Sequence, residues 1–405
     1  MSYFTQEQQA LLALLRQSLG GESGGLPEDL NWEKLDTMAK QQGVIALAYG
    51  GAVALKAELP EELRQKWNQR TIMGAVRNER LLTVQDEVLS WLEAAGIPSV
   101  ILKGSSVARY YPQPELRVLG DIDLLVPKTH LEQVQEILIQ KGFRMHESDH
   151  DFHIGFDRKG AYVEVHYDVT KLPNCRGGEA TQNETAHFLD HPKCGSLAHH
   201  RFPTLTESHQ ALMLLLHMVR HMMDDGIGLR QLCDWAMYLA NMDLERFVEE
   251  TVPMLDKCGL LRYAQIASST CVHFLGLPQR YACWCEKVTA YQAEAFLMDV
   301  FSGGNMVGTN PMKVGRLLAQ GNIAGEKSYL GNIFAGLTKL VYYHFPVIKE
   351  HKWLLPIFWV YLPLRYWVRS LLGLRQKRSV IEVAQNAKVK QEFFNMLELF
   401  ETEEP

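Results

Sequence analysis

Two aspartates begin an uninterrupted apolar run in this chain, which reads Asp121-Ile122-Asp123-Leu124-Leu125-Val126. Such a run is typical of a strand that is buried on both faces of a sheet. Because successive side chains of a strand point to opposite faces, both carboxylates are expected on one side of it. Neighbouring carboxylates repel each other unless a positive charge lies between them, and a divalent cation commonly supplies it. The run therefore predicts a buried strand that carries a metal site.

Around this strand, the spacing of apolar residues predicts a small α+β unit with the element order β-α-β-α-β-β. The predicted elements are a strand at 99–102, a short helix at 104–111, a strand at 120–126, a helix at 129–141 and a hairpin of strands at 150–157 and 161–168. Thr129 and Glu132 predict a capping box at the start of the second helix, and Gly142 predicts its end. The unit is expected to form a small mixed sheet.

The flanking regions show the spacing of helices. Residues 1–98 predict a set of helices, the last of which runs from Pro60 to Gly96. Residues 171–207 are polar and predict a loop or linker, which we expect near the active site. From 208 onward the pattern is again helical. The predicted organisation is a helical region at 1–98, a catalytic core at 99–170, a linker at 171–207 and a helical domain at 208–405.

Net charge, cysteine content and apolar runs exclude several classes of protein. The 405-residue chain has a net charge of -6, which argues against a general nucleic-acid partner. Its seven cysteines form no CxxC pair, and its first residues lack the apolar run of a signal peptide. We therefore expect free thiols and a cytoplasmic location. The longest uncharged apolar run, at 353–364, contains two prolines and is too short to span a bilayer.

A third carboxylate is expected beside the first two. In the strand predicted at 161–168, alternation places Glu164, His166 and Asp168 on one face. A carboxylate on a neighbouring strand would complete a triad with Asp121 and Asp123. Three carboxylates together with nucleotide phosphates can hold two Mg²⁺ ions, the arrangement used in phosphoryl and nucleotidyl transfer.

These motifs resemble the nucleotidyltransferase superfamily of the DNA polymerase β type. More specifically, the chain is similar to a bacterial family of largely uncharacterised nucleotidyltransferases. The motifs that carry the likeness are Leu102-Lys103-Gly104, Tyr110-Tyr111-Pro112-Gln113-Pro114 and the segment from Arg117 to Val126. The resemblance implies a polymerase-β-like core and transfer of a nucleoside monophosphate from a nucleoside triphosphate, most simply ATP, with release of pyrophosphate. It also implies Mg²⁺ or Mn²⁺ as the cofactor.

The resemblance assigns roles to five residues. Asp121 and Asp123 are implied metal ligands, Glu164 is a third ligand or a base for the acceptor hydroxyl, and Gly104 and Ser105 are implied to contact the nucleotide phosphates. Lys103 and Arg117 are expected to bind the nucleotide as well, although the superfamily pattern does not fix them. A purely structural role stays open for two of these residues. In that alternative, Lys103 caps a strand and Arg117 pairs with one of the aspartates.

Five further polar residues have no fixed assignment from the sequence. His166 either joins the site or packs in the core. His217 and His221 share one helix face, where they bind a metal, line the substrate cleft or pack. Arg230 and Asp234 have the spacing of an intrahelical ion pair.

The acceptor cannot be read from the sequence; a small molecule, a sugar and a protein hydroxyl all fit. A second hypothesis is a catalytically silent nucleotide sensor or scaffold. The basic aromatic stretch at 353–378 adds the option of peripheral membrane contact.

Overall fold

The computed structural model describes residues 4–146, 152–224, 226–285, 287–303, 337–338, 341–342, 344–371 and 380–402. Within these ranges the chain forms a mixed seven-stranded sheet with helices before and after it, so the predicted α+β class is confirmed. The strands are β1 (Val100–Ile101), β2 (Ile122–Leu125), β3 (Arg144–His146), β4 (His153–Arg158), β5 (Ala161–His166), β6 (Lys193–Leu197) and β7 (His200–Thr204).

The order of strands across the sheet is β3-β4-β5-β2-β1-β7-β6. The central strand β2 runs antiparallel to β1 and parallel to β5. In the β2–β5 register, Asp123 lies directly opposite Glu164. The turn of the predicted hairpin forms between β4 and β5, where Lys159 and Gly160 both have positive φ. The sheet thus brings the two expected carboxylate strands side by side.

Four helices precede the sheet, as the sequence predicts. They are α1 (Gln6–Ser18), α2 (Trp32–Gln41), α3 (Ile45–Ala54) and α4 (Glu61–Ala94). Thr5 and Gln8 form a capping box at the start of α1. Pro60 precedes the first residue of α4, and Gly96, with φ 68°, follows its end. The long helix α4 runs along the sheet, and its side chains hold neighbouring loops.

Most of the remaining helices follow the sheet. Three lie between strands of the sheet: α5 (Ser105–Ala108), α6 (Leu131–Gln140) and α7 (Arg176–Ala186). The C-terminal ones are α8 (Glu207–Asp224), α9 (Leu229–Ala240), α10 (Leu244–Arg246), α11 (Val252–Lys257), α12 (Leu261–Leu275), α13 (Ala290–Gly303), α14 (Leu355–Leu371) and α15 (Val380–Leu397). A π-helical turn, Phe247–Thr251, joins α10 to α11. No described helix is both long enough and apolar enough to cross a membrane.

Two hydrophobic clusters cover the two faces of the sheet. Ile101 and Leu124 belong to a cluster with α4 and α6, whereas Val100 and Leu125 belong to a larger one. The larger cluster joins the N-terminal helices to the C-terminal helices. Since Asp123 alternates with Leu124, its side chain lies on the face that the larger cluster covers. Helices α8 and α9 supply residues to that cluster.

Two local predictions are wrong. Residues 171–207 are not a loop, because they contain α7 and the β6–β7 hairpin, and β7 pairs in parallel with β1. The sheet therefore extends to Thr204. Polar residues and Pro203 hide this edge hairpin from a search for apolar alternation. The capping box at Thr129 is also absent, since a 3₁₀ turn at Lys128–His130 moves the start of α6 to Leu131. The division into domains stays a prediction.

Candidate active site

Three carboxylates meet on one face of the sheet. Asp121 immediately precedes β2, Asp123 lies within β2, and Glu164 lies opposite Asp123 on β5. One oxygen from each carboxylate lies within 4.8 Å of the others. The side chain of Asp121 is 34% exposed, whereas that of Asp123 is fully buried, so the cluster leads inward from the surface. This is the triad that the sequence predicts from alternation.

Lys103 supplies a positive charge to this cluster. Its Nζ lies 2.9 Å from Asp123 Oδ1 and 3.9 Å from Asp121 Oδ1. Burial disfavours the ammonium form, but Asp121, Asp123 and Glu164 outweigh burial and raise the pKa of Lys103. The ammonium group is therefore charged at neutral pH and balances part of the negative charge. A backbone hydrogen bond from Leu102 N to Asp123 O, 3.0 Å long, fixes this end of β1 against β2.

His166 belongs to the site. Its Nε2 lies 3.3 Å from Asp123 Oδ1 and 3.4 Å from Glu164 Oε2. Burial opposes its charged form, but hydrogen bonds to both carboxylates raise the pKa of His166. Burial likewise opposes ionisation of Glu164, yet the His166 hydrogen bond and Lys103 lower the Glu164 pKa to about 2. His153 Nε2 lies 3.9 Å from Glu164 Oε1 and adds a second imidazole.

The carboxylates fit a divalent cation. Asp123 Oδ2 is buried and has no hydrogen-bond partner among the described residues. A buried carboxylate oxygen without a partner is costly, so a ligand that supplies positive charge there is favoured. The three carboxylates offer only oxygen donors, which Mg²⁺ prefers, while His153 and His166 beside Glu164 add the nitrogen donors that suit Mn²⁺ and other transition metals.

The predicted phosphate-binding turn lies beside the carboxylates. Gly104 has φ 72° and ψ -108°, and a Cβ added there would lie 3.4 Å from Asp121 O. Glycine thus permits this backbone conformation, which other residues rarely adopt. The Ser105 hydroxyl is buried and donates to Gln85 Oε1 at 2.6 Å. Its position ties the turn to α4, and the predicted phosphate contact of Ser105 would require that hydrogen bond to change.

Arg117 lies in a buried ion pair outside the triad. Its Nε and Nη2 donate to the two carboxylate oxygens of Asp234, at 3.1 and 2.7 Å. The Tyr111 hydroxyl donates to Asp234 Oδ1 at 2.7 Å. The alternative in which Arg117 pairs with Asp121 or Asp123 is therefore wrong. Also wrong is the expected intrahelical pair of Arg230 with Asp234, since Asp234 turns toward the loop before β2.

Helices α8 and α9 form the wall opposite the sheet. His217 and His221 on α8 make an edge-to-face contact with ring centroids 4.4 Å apart. Burial, followed by the charge of Lys103, lowers the pKa of His217 well below its usual value and that of His221 to about 4. Both rings are therefore neutral at neutral pH. Arg230 on α9 is near enough to Asp121 to feel its charge, and its buried Nε has no hydrogen-bond partner among the described residues.

The two histidines without a fixed assignment from the sequence lie in this wall. His217 and His221 belong to no group of three metal-ligating side chains within the described part of the chain. Lys103, Arg220 and Arg230 all lower the pKa of both histidines, so three cationic side chains lie near this wall, opposite the carboxylates of the sheet. Cationic side chains attract anions.

Three positioning residues escape sequence reasoning. Asn78 on α4 accepts from Leu119 N at 2.7 Å and donates to Arg117 O at 3.0 Å, which fixes the loop before Asp121. Gln85 holds Ser105, and Tyr111 holds Asp234. Signals exist, because the amides at 78 and 85 lie one helical heptad apart on α4 and Tyr111 belongs to the motif at 110–114. Nothing in the sequence indicates their partners.

The fold and the carboxylate cluster together define a nucleotidyltransferase. A family model described as "Uncharacterised nucleotidyltransferase" matches residues 28–276, more than half of the chain, so the protein belongs to that family. The match covers α2 to α12 and includes the whole sheet and both walls of the site. No curated protein matches the sequence significantly.

Proposed function

We propose that the protein transfers a nucleoside monophosphate from a nucleoside triphosphate, with ATP the first candidate, to a hydroxyl acceptor and releases pyrophosphate. The carboxylate triad of Asp121, Asp123 and Glu164 carries this proposal. The triad lies between a small-residue turn and a wall that carries Arg220 and Arg230. Such cationic groups suit a triphosphate, because its oxygens are held by cations and its charge must be neutralised as pyrophosphate leaves.

The three carboxylates would hold Mg²⁺ or Mn²⁺, which when bound activates the acceptor oxygen and neutralises charge on the phosphates. Glu164 suits the role of ligand better than that of base, because a carboxylate with a pKa of about 2 accepts a proton poorly at neutral pH. His166, hydrogen-bonded to Asp123 and Glu164, orients both carboxylates. Lys103 is placed to exchange its contact with Asp123 for one with a phosphate oxygen.

Gly104 and Ser105 are proposed to contact the distal phosphates through the backbone and the hydroxyl. Arg117 is proposed to act on the nucleotide only indirectly, by holding the loop that carries Asp121. Arg230 and the two neutral histidines of α8 are the better candidates for direct contact, since they lie in the wall opposite the carboxylates. The acceptor remains a small molecule, a sugar or a protein hydroxyl, and the acidic net charge favours these over nucleic acid.

One observation favours a second function, that of a catalytically silent nucleotide sensor or scaffold. The Lys103 ammonium already neutralises part of the triad without any metal. A silent protein would keep this internal ion pair and would have no need of a divalent cation. Peripheral membrane contact through α14 and the turn before it remains a further option, because Trp353 in that turn and Ile357 and Val360 in the helix are exposed. The end of that stretch, 372–378, lies outside the described residues. Seven free cysteines support the proposed cytoplasmic location.

Calorimetric titration with each nucleoside triphosphate, with and without Mg²⁺, tests the proposal. We expect metal-dependent binding in the wild type and in Asp29→Asn, an exposed control. The double variant Asp121→Asn/Asp123→Asn should lose it. Pyrophosphate release with hydroxyl acceptors then separates an enzyme from a silent binder. Equal nucleotide binding by the double variant would place the nucleotide elsewhere and contradict the proposed site.

A further inference from the structure

A second cluster of possible metal ligands lies away from the active site, between α4 and the β6–β7 turn. His199 and His200 occupy the turn and the start of β7, and Glu79 faces them from α4. His200 Nε2 lies 3.3 Å from Glu79 Oε1, and His199 Nε2 lies 3.7 Å from the same oxygen. One ligand atom from each residue lies within 4.8 Å of the others. Neither the proposed function nor the family assignment uses these residues.

The two separations from Glu79 Oε1 are close to those of a tetrahedral metal site. Zn²⁺ bonds to imidazole nitrogen and carboxylate oxygen at about 2.0–2.2 Å, which places two ligand atoms of a tetrahedron roughly 3.3–3.5 Å apart. The observed 3.3 and 3.7 Å differ little from these values, and the side chain of His199 is 73% exposed. Two imidazoles and one carboxylate favour zinc over Mg²⁺, which prefers oxygen ligands.

A carboxylate orients the buried histidine of this cluster. Asp86, on α4, contacts His200 Nδ1 at 2.5 Å, which leaves Nε2 directed to Glu79. Metal-ligating histidines commonly donate their second ring nitrogen to a carboxylate in this way, and the contact fixes the ring and its tautomer. The side chain of His200 is almost fully buried, so its position is set by the fold. Asp86 is therefore a positioning residue.

We propose that Glu79, His199 and His200 form a zinc-binding site whose fourth position is open to water. The site joins α4 to the edge hairpin of the sheet. It also lies beside Asn78, which holds the loop before Asp121, so bound zinc would brace the helix that supports the active site. The inference is independent of the proposed function, because it uses no residue of the nucleotide site.

Zinc binding by the purified full-length protein tests the site. A chromogenic chelator competes for Zn²⁺ while excess Mg²⁺ occupies the carboxylate triad. We expect the wild type to bind one equivalent more than His199→Gln, an exposed substitution that should not disturb folding. Asp86→Asn should weaken that equivalent by about 10–100-fold. The matched control is His187→Gln, since His187 is another exposed histidine paired with a carboxylate, Asp190, at 2.6 Å.

A spectroscopic measurement complements the stoichiometry. Co²⁺ in place of Zn²⁺ should give the intense visible absorption of a tetrahedral ion in the wild type and in His187→Gln, and lose it in His199→Gln. Equal stoichiometry in the wild type and His199→Gln would overturn the site. In that case the cluster is only a set of polar contacts of His200 with Glu79 and Asp86. An equal loss in His187→Gln would show adventitious surface binding and would overturn it as well.

Discussion

Replacing Lys103 by methionine tests the electrostatics of the triad most directly. The side chain of Lys103 is 15% exposed and that of Asp123 is fully buried, so their 2.9 Å contact has little solvent screening. Methionine preserves the length of the stem and removes the charge. Removing one partner of a buried ion pair costs about 3–5 kcal/mol. Asp123 can avoid an unpaired buried charge by taking up a proton. Protonating a carboxylate with a pKa of roughly 3.9 at pH 7 costs about 4 kcal/mol, which sets the upper limit of the penalty.

We therefore expect Lys103→Met to lower the free energy of unfolding by about 3–4 kcal/mol at pH 7 and by about 1.5 kcal/mol at pH 5. The sign of this pH dependence follows from the protonation of Asp123. In the wild type, burial opposes the ionisation of Asp123 but Lys103 and His166 lower its pKa, so its stabilisation is present above the unfolded pKa and lost as pH falls. In the variant Asp123 takes up a proton on folding, so stability falls as pH rises.

Urea denaturation at pH 5 and pH 7, without and with Mg²⁺, measures both effects. At 100 times its dissociation constant, a cation that binds only the folded state restores about 2.7 kcal/mol. The variant should gain more from Mg²⁺ than the wild type, where Lys103 competes for the carboxylates. Lys103→Met/Asp123→Asn, which removes both charges, is the control and should lose the pH dependence. A penalty below about 1 kcal/mol at both pH values would refute the reasoning. A penalty without any Mg²⁺ rescue would favour the silent scaffold.

Two further predictions concern the supports of the site. Asp234→Asn should destabilise the protein by about 3–5 kcal/mol, because it leaves the Arg117 guanidinium buried without its carboxylate. In urea denaturation, the double variant Arg117→Met/Asp234→Leu should recover most of this loss. Additive losses of stability would contradict the coupling of the two residues. Glu164 stabilises the metal-free protein above its ordinary pKa of 4.5, and this contribution, at most about 3 kcal/mol, is lost as pH falls toward 2. Denaturation at pH 6 and pH 3 should therefore show a smaller difference in Glu164→Gln, and an unchanged difference would show that Glu164 keeps an ordinary pKa.

Local patterns in the sequence determine much of the core. The apolar run after Asp121 predicts β2, because a short run of this kind is typical of a strand buried on both faces. Alternation places Glu164 and His166 on one face of β5. The positive φ of Gly96 and Gly142 ends α4 and α6 where the glycines predict. These features depend on neighbouring residues, so they can be read without the fold.

Contacts between distant parts of the chain were decided only by the tertiary structure. Asp234 pairs with Arg117 across 117 positions, and not with Arg230 on its own helix, because the fold buries both charges at one point. The β6–β7 hairpin joins the sheet only because β1 offers it an edge. Lys103 reaches Asp123 since β1 and β2 are antiparallel neighbours. The sequence by itself therefore determined which carboxylates and turns exist. Strand order and helix packing decided which charges face them, since electrostatic partners depend on distance in space and not along the chain.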